Sequence, residues 1–299
     1  MDLVIMAAGM GSRFGGLKQI EPVDTNGNFI IDYSIYDAIR CGFNRVIFVI
    51  KPENYLIFKN TIGKRVENFI TIKYAFQTLE NIPILTKFPQ TRTKPLGTGH
   101  ALFCAKELIS GPFAVINADD FYGRKSFELM HNFLKSNLYS NNSAIVGFKA
   151  ENTISNNQTV KRGICKTQNK HLLSIVESVI EKKDSLLFSK PIDSNTPYSK
   201  LSPDTTVSMN MFGFHSCFMK DLESQFIEFL NNSSHDLNSC EFFLPTAVSN
   251  LIFNKKLSTC VISTPSRWLG MTYKEDLEHI KAELFKLSKS GFYPKNLWG

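Results

Sequence analysis

The sequence has no Cys-x-x-Cys pair and no histidine at ligand spacing from its six cysteines, Cys41, Cys104, Cys165, Cys217, Cys240 and Cys260. That scatter argues against a zinc site and against a disulfide framework, and predicts reduced, mostly buried thiols. No segment approaches about 20 consecutive apolar residues, so a membrane-spanning helix is not expected. The apolar stretch 3–8 stops at Gly9, too soon for the core of a signal peptide. These absences predict a cytoplasmic chain with no membrane partner. A basic run interleaved with aromatics is also lacking. The densest clusters, such as Glu181-Lys182-Lys183, are short, and no nucleic-acid partner is expected. There is no internal repeat and no low-complexity segment.

What is present is ordinary for a folded enzyme-sized chain. The 299 residues are 43% hydrophobic and 20% charged, enough to bury a full α/β core. Lys and Arg number 34 against 27 Asp and Glu, a net charge of +7. Two readings of that excess stay open: a basic surface of no special use, or attraction of polyanionic substrates. Nothing sets an oligomeric state, and a homo-oligomer is compatible with the sequence.

The first half alternates strand-like and helix-like stretches. Residues 3–7 read as a buried strand followed by a glycine-rich turn. Residues 32–41 read as a helix with Ile35, Ala38 and Ile39 on one face, ended by Gly42. Strands are expected at 45–50, 71–76 and 113–117, with a helix at 98–108 between the last two. Such alternation points to a mainly parallel sheet with helices on both faces. After about residue 150 the texture changes. Residues 152–159 and 190–206 are polar and read as loops. Strands are expected at 163–166, 172–177 and 207–214, and helices at 218–231 and 273–290. One continuous fold is expected over 1–299, with a nucleotide-binding half to about 150 and an acceptor-binding half beyond.

The most informative stretch runs Ala7-Ala8-Gly9-Met10-Gly11-Ser12-Arg13-Phe14-Gly15-Gly16-Leu17-Lys18-Gln19, directly after the first strand. Small residues let backbone N–H groups cradle anions, and Arg13 and Lys18 add charge within the same loop. A triphosphate needs both. A dinucleotide loop would want glycine where Phe14 stands and an acidic residue where Ile50-Lys51 stands. A Walker A loop would need Gly-Lys-Ser/Thr, which is absent. A glycine-rich turn without function is the remaining alternative. Arg and Lys inside a turn at the C-terminal end of the first parallel strand weigh against it.

The same stretch resembles the A-A-G-x-G-[ST]-R…K-Q signature of the sugar-nucleotide pyrophosphorylases, typified by glucose-1-phosphate thymidylyltransferase. The continuation Leu17-Lys18-Gln19-Ile20-Glu21-Pro22-Val23 is similar too. The resemblance covers most of the chain, strongly to about residue 125 and more weakly beyond. It implies a Rossmann-like, mixed, mainly parallel α/β sheet of the nucleotide-diphospho-sugar transferase type. It implies a nucleotidyltransferase that joins a nucleoside triphosphate to a phosphorylated small-molecule acceptor, a sugar 1-phosphate, and releases pyrophosphate. Gly9, Gly11, Ser12 and Arg13 would then hold the β- and γ-phosphates, Ala8 would be a further nucleotide-binding residue, and Lys18 would neutralise the α-phosphate.

Two further motifs carry the resemblance. Lys94-Pro95-Leu96-Gly97-Thr98-Gly99-His100-Ala101 is similar to the family's P-x-G-[LT]-[AG]-x-A segment. Gly97 would let the backbone approach the base, and Thr98 would N-cap the next helix. A plain loop-to-helix start satisfies the same residues, and His100 reads as a helix residue. Gln77 resembles the family's base-reading glutamine, whose amide can donate and accept at once. Val115-Ile116-Asn117-Ala118-Asp119-Asp120-Phe121-Tyr122-Gly123 resembles the segment that binds Mg²⁺. Asp119 takes the metal position and Asp120 is the weaker candidate.

For the acceptor, the resemblance implies Gly163, Glu177 and Asn210 on successive strands. Two departures stand out. The lysine the family carries two residues after the acceptor glutamate is here Val179, with Lys182 or Lys183 as stand-ins. The second metal aspartate, in W-x-D-x-G-[ST], is here Gly270 within Trp268-Leu269-Gly270-Met271-Thr272. Asp119 with phosphate oxygens would then hold the metal, or Glu241 or Asp276 would reach in. Two rival readings follow: a cytidylyltransferase for phosphocholine or a similar small phosphate, and a non-catalytic homologue that binds a sugar nucleotide as a signal.

Overall fold

The computed structural model describes residues 1–9, 20–80, 82–83, 88–89, 91–92, 94–137, 142–154, 159–192, 195–232, 235–271 and 275–299. Its first strand, β1 (Asp2–Met6), is apolar and buried along its length. Alternate residues serve opposite faces, as strand geometry requires: Leu3 and Ile5 enter one core, Val4 and Met6 the other. Helix α1 (Ile30–Cys41) begins where the Asp32 carboxylate accepts the Phe29 N–H at 2.7 Å. It ends at Gly42, whose φ of 103° only glycine adopts without strain. Strands β2 (Arg45–Ile50) and β3 (Thr71–Phe76) follow, linked by α2 (Tyr55–Phe58), the π turn Lys59–Gly63 and α3 (Lys64–Val66).

Helix α4 (Thr98–Phe103) is shorter than expected and gives way to the 3₁₀ turn Lys106–Leu108. Then come β4 (Phe113–Asn117), the short β5 (Asp120–Phe121), α5 (Arg124–Ser136) and β6 (Asn142–Lys149). A run of hairpins follows: β7 (Thr159–Gln168), β8 (His171–Lys183), β9 (Leu186–Pro191) and β10 (Ser199–Leu201). The chain closes with β11 (Thr206–Phe214), α6 (Phe218–Asn231), α7 (Leu244–Phe253), β12 (Ser258–Ser263), β13 (Leu269–Gly270) and α8 (Asp276–Lys289). The polar stretch 190–206 therefore holds β10 and the end of β9 rather than a loop alone.

One large sheet runs in the order β10-β9-β8-β12-β6-β11-β4-β1-β2-β3, with β7 pairing β8 and β11. It is mixed. The strands β3, β2, β1 and β4 are parallel, as the N-terminal alternation predicts. Strand β11 enters antiparallel between β4 and β6. The expectation of a mainly parallel sheet holds for β3, β2, β1 and β4 and for the β6–β12 pair, while the other pairings are antiparallel. The reason is local: β7, β8 and β9 are joined by two-residue turns, and such turns can join only antiparallel neighbours. Asn169-Lys170 and Asp184-Ser185 all have positive φ, the backbone of tight hairpin turns.

Helices cover both faces. Helices α1 and α5 pack on the core that contains Leu3, Ile5 and Ile116, and α4, α6 and α7 on the one that contains Val4, Val115 and Phe212. A third cluster, with Tyr33, Phe121, Met271 and Tyr293, fastens the C-terminal segment to α1 and β5. The six cysteines form no disulfide. Cys165 is buried and the others are half-buried, more accessible than expected. Among the described residues no helix is long and apolar enough to cross a membrane.

Candidate active site

Parallel strands of an α/β sheet present ligands at their C-terminal ends. Here those ends are tied into one edge. Ala7 N–H donates to the Val49 carbonyl at 2.8 Å, Gln77 N–H to that of Ile50 at 2.8 Å, and Ala118 N–H to that of Met6 at 3.1 Å. Ala8 is buried at the foot of the glycine loop, and Gly9 is exposed, with no atom of the other described residues within 4 Å of a Cβ placed there. Gly11, Ser12, Arg13 and Lys18 lie outside the described residues.

Next to this edge Gly97 adopts φ 93°, and a Cβ there would come within 2.8 Å of the Phe242 carbonyl. The segment before α7 lies against α4: Gly99 N–H donates to that carbonyl at 2.9 Å, and Phe242 N–H donates to the Leu96 carbonyl at 2.6 Å. Thr98 does not cap its own helix, as the sequence suggests. Gly97 is the N-cap of α4, and the Thr98 hydroxyl instead accepts the Leu244 N–H at 3.0 Å, at the first turn of α7. The N-cap of α7 is Phe243, which has no acceptor of its own, so Thr98 serves that helix from across the interface. Gln77 stands beside Gly97, its amide nitrogen 3.0 Å from the Gly97 carbonyl.

At the end of β4 the two aspartates differ. Asp119 is half-buried, and its carbonyl accepts the Met271 N–H at 3.0 Å. Asp120 is buried. Its Oδ2 accepts from Asn117 Nδ2 at 2.9 Å and lies 3.1 Å from the Tyr122 hydroxyl. Burial first, and the Asp120 charge second, hold the Tyr122 phenol protonated. That hydroxyl also accepts the Asn117 N–H at 3.0 Å and lies 3.0 Å from the Met209 carbonyl. Tyr122, which no sequence motif singles out, thereby joins the strand end that bears Asp119 to strand β11.

Gly270 pairs with Asp120 in the β5–β13 ladder. A Cβ built on Gly270 would overlap the Trp268 ring and would sit 3.0 Å from Asp120 Oδ1. The indole is in turn covered by the Arg162 guanidinium, 4.5 Å from its centroid. Arg162 Nε and Trp268 Nε1 are buried without hydrogen-bond partners among the described residues. Burial lowers the Arg162 pKa to about 10, against the pull of Asp120, Asp276 and Glu177, and leaves it charged near neutrality. So no carboxylate fits at position 270 while Trp268 holds its place. Gly270→Asp is expected to lower the unfolding free energy by about 1–3 kcal/mol through overpacking, read by urea denaturation, without tightening Mg²⁺ binding. A variant of unchanged stability that binds the metal more tightly would contradict this. Of the carboxylates named for this role, Glu241 lies beside Gly97, with its Cβ 3.2 Å from the Cβ position there, and Asp276 acts on Arg162. Among the described residues no group of three or more His, Cys, Asp or Glu side chains is placed to hold a metal.

The residues expected to face the acceptor, Gly163, Glu177 and Asn210, lie on the neighbouring strands β7, β8 and β11. Gly163 of β7 faces Glu177 of β8 and Ser208 of β11. A Cβ on Gly163 would approach Ile175 Cγ2 to 2.5 Å and Glu177 Oε1 to 3.1 Å, so glycine keeps this surface open. Glu177 is exposed by area. The protein packed around its carboxyl raises its pKa, against Arg162 first and Lys161 second. Asn210 has φ 60° and sits in a bulge of β11, where the register shifts between Ser208 and Phe212. Bulges re-aim side chains beside functional sites, and a left-handed asparagine carries strain that the surrounding contacts must hold. Of the stand-in lysines, Lys183 pairs with Glu181 at 3.0 Å near the end of β8, while Lys161 stands directly opposite Val179.

Comparisons with known proteins bear on the family and the fold. The family model for nucleotidyl transferases matches residues 3–215. The bifunctional protein GlmU of Methanococcus vannielii is 28% identical over 134 residues, which are 44% of this chain and 27% of that protein. The match thus spans about a quarter of that relative. A crystal structure from Bacillus anthracis, assigned as a glucose-1-phosphate thymidylyltransferase and in complex with sucrose, aligns with a TM-score of 0.62. The alignment covers 95% of this chain and 94% of that one at 15% identity, a likeness of fold.

Proposed function

The chain belongs to the nucleotidyl transferase family, and from that membership we propose that it joins a nucleoside triphosphate to a sugar 1-phosphate, releasing pyrophosphate. The observation that carries the reading is the shared strand-end edge. The foot of the glycine loop, Gln77 with Gly97, and Asp119 all stand on it, and the Tyr122 hydroxyl ties it to the strand bearing Asn210. The half to about residue 150 would bind the nucleotide, and the half beyond it the acceptor.

In this reading Gly9, Gly11, Ser12 and Arg13 hold the β- and γ-phosphates, while Gln77, Gly97 and Thr98 border the base. Gly163 admits the acceptor sugar, Glu177 accepts from its hydroxyls, and Asn210 is aimed at it by the bulge. An oxygen of the acceptor phosphate forms a bond to the α-phosphorus as the bond from that phosphorus to the departing pyrophosphate breaks. The phosphate is already nucleophilic, so no side chain need remove a proton. Alignment and charge stabilisation by Arg13 and Lys18 carry the rate. Asp119, a half-buried carboxylate at a strand end, suits a Mg²⁺ ion that keeps waters and phosphate oxygens as its other ligands; bound there, the ion would neutralise phosphate charge.

The test is a screen of each nucleoside triphosphate against sugar 1-phosphates and phosphocholine. Nucleotide-sugar and pyrophosphate should appear together with at least one sugar 1-phosphate. Product from phosphocholine alone would replace the acceptor assignment with the cytidylyltransferase alternative.

A further inference from the structure

Gln77 and His100 form a buried polar pair behind the strand-end edge, 7% and 1% exposed. Gln77 Nε2 lies 3.0 Å from the Gly97 carbonyl and 3.2 Å from His100 Nδ1. A primary amide has two N–H donors and one acceptor oxygen. The Gly97 carbonyl can only accept, so the nitrogen of the amide must face it. The second N–H is then directed at Nδ1, which must be the unprotonated ring nitrogen. The ring proton is left on Nε2, 3.4 Å from Cys104 Sγ.

The surroundings hold the ring in this state. Phe226 stacks on it at 5.3 Å. Arg92 lies near enough to act on it, and its own guanidinium donates to the carbonyls of Lys94, Pro95 and Leu237. Burial first and the Arg92 charge second lower the His100 pKa to about 4, against the Thr78 backbone, so the ring is neutral at physiological pH. With both amide hydrogens directed inward, Gln77 Oε1 receives no hydrogen bond among the described residues.

We propose that His100 is a positioning residue for base selection: by engaging the second N–H of Gln77 it leaves only the Oε1 acceptor to meet the nucleotide. The inference rests on the reading of Gln77 as the residue that faces the base. It names the chemistry of the base edge. A ring N–H, as on uracil, thymine or guanine, satisfies Oε1. A bare ring nitrogen, as on cytosine or adenine, sets two lone pairs against each other and leaves a partly buried acceptor unsatisfied. That loss corresponds to a preference on the order of 10- to 100-fold.

The experiment measures equilibrium binding in isosteric pairs, UTP against CTP and ITP against ATP, for the wild-type protein, His100→Leu and His100→Asn. The N–H-bearing member should bind at least about tenfold more tightly in whichever pair the pocket admits. His100→Leu should narrow that ratio to within about threefold by removing one of the two acceptors that hold the amide nitrogen inward, leaving the Gly97 carbonyl alone to oppose its turning. His100→Asn should keep it, since its Oδ1 can take the place of Nδ1. Equal or reversed preference in the wild type, or an unchanged ratio in His100→Leu, would overturn the inference. Should His100→Leu fail to fold, the wild-type order still decides, together with ¹⁵N NMR of the ring; a proton on Nδ1 would sink the idea. Turnover without base preference defeats this inference and leaves the transferase reading standing. Base-selective binding without pyrophosphate from any acceptor does the reverse.

Discussion

Lys18→Ala is expected to lower kcat by about 100- to 1,000-fold while changing the KM for the triphosphate by less than about tenfold. The asymmetry follows from when charge appears. In the proposed reading several donors along the glycine loop would hold the triphosphate in the ground state, and the loss of one cation among them would be tolerable. As the acceptor oxygen closes on the α-phosphorus, negative charge grows on the α-phosphoryl oxygens and on departing pyrophosphate. In the proposed reading Lys18, which follows the glycine loop in sequence, would meet that charge. Interactions stronger in the transition state than in the ground state appear in kcat. Steady-state kinetics on both substrates read the split, and a change confined to KM would assign Lys18 to ground-state binding.

Asp119→Ala carries the other large effect. Mg²⁺-dependent pyrophosphate release should fall by about 1,000-fold or more, with the melting temperature nearly unchanged, because Asp119 is half-buried at a strand end. Asp120 should behave in the opposite way. It is buried and receives the Asn117 amide and faces the Tyr122 hydroxyl, so Asp120→Ala removes an acceptor from both. That change should cost about 1–3 kcal/mol of stability. Asp120→Asn retains one acceptor oxygen and should keep most of the activity. Thermal melts and initial rates on the three variants separate the roles. A reversed pattern would move the metal from Asp119 to Asp120.

The N-terminal half was legible because its signals are local. Apolar runs such as Arg45–Ile50 and Phe113–Asn117 are bounded by turn residues, and both strands lie where the run predicts. Gly42 marks the end of α1 because only a left-handed residue closes that helix. The C-terminal half was less legible. Its register is set by two-residue turns at Asn169-Lys170 and Asp184-Ser185, which carry no glycine and so no strong turn signal. Helices α5 and α7 and strands β6 and β12 are likewise absent from the sequence expectations. Helix α5 follows Gly123, whose φ of 75° turns the chain sharply, and α7 begins without a capping side chain of its own.

The candidate site divides in the same way. Asp119, Gln77 and Gly97 could be placed by motif, since each stands at a strand or helix terminus. The supporting contacts could not be. Tyr122 touches Met209 across 87 positions, and Thr98 reaches Leu244 across 146. No spacing within a motif encodes such pairs. Gly270 was visible as a departure, but its cause was not: the Trp268 ring fills the space into which a side chain there would project. Likewise Lys161, not Lys182 or Lys183, stands opposite Val179, a fact of the β7–β8 register.

The central claim is that an acceptor phosphate attacks the α-phosphorus of a nucleoside triphosphate on this chain. The most direct measurement supplies sugar 1-phosphate labelled with ¹⁸O in its phosphate, together with the preferred triphosphate and Mg²⁺, and weighs both products. The account predicts that all of the label enters the nucleotide-sugar and that unlabelled pyrophosphate forms in equal amount. Label in the pyrophosphate, or tight triphosphate binding with no pyrophosphate from any acceptor, would contradict it.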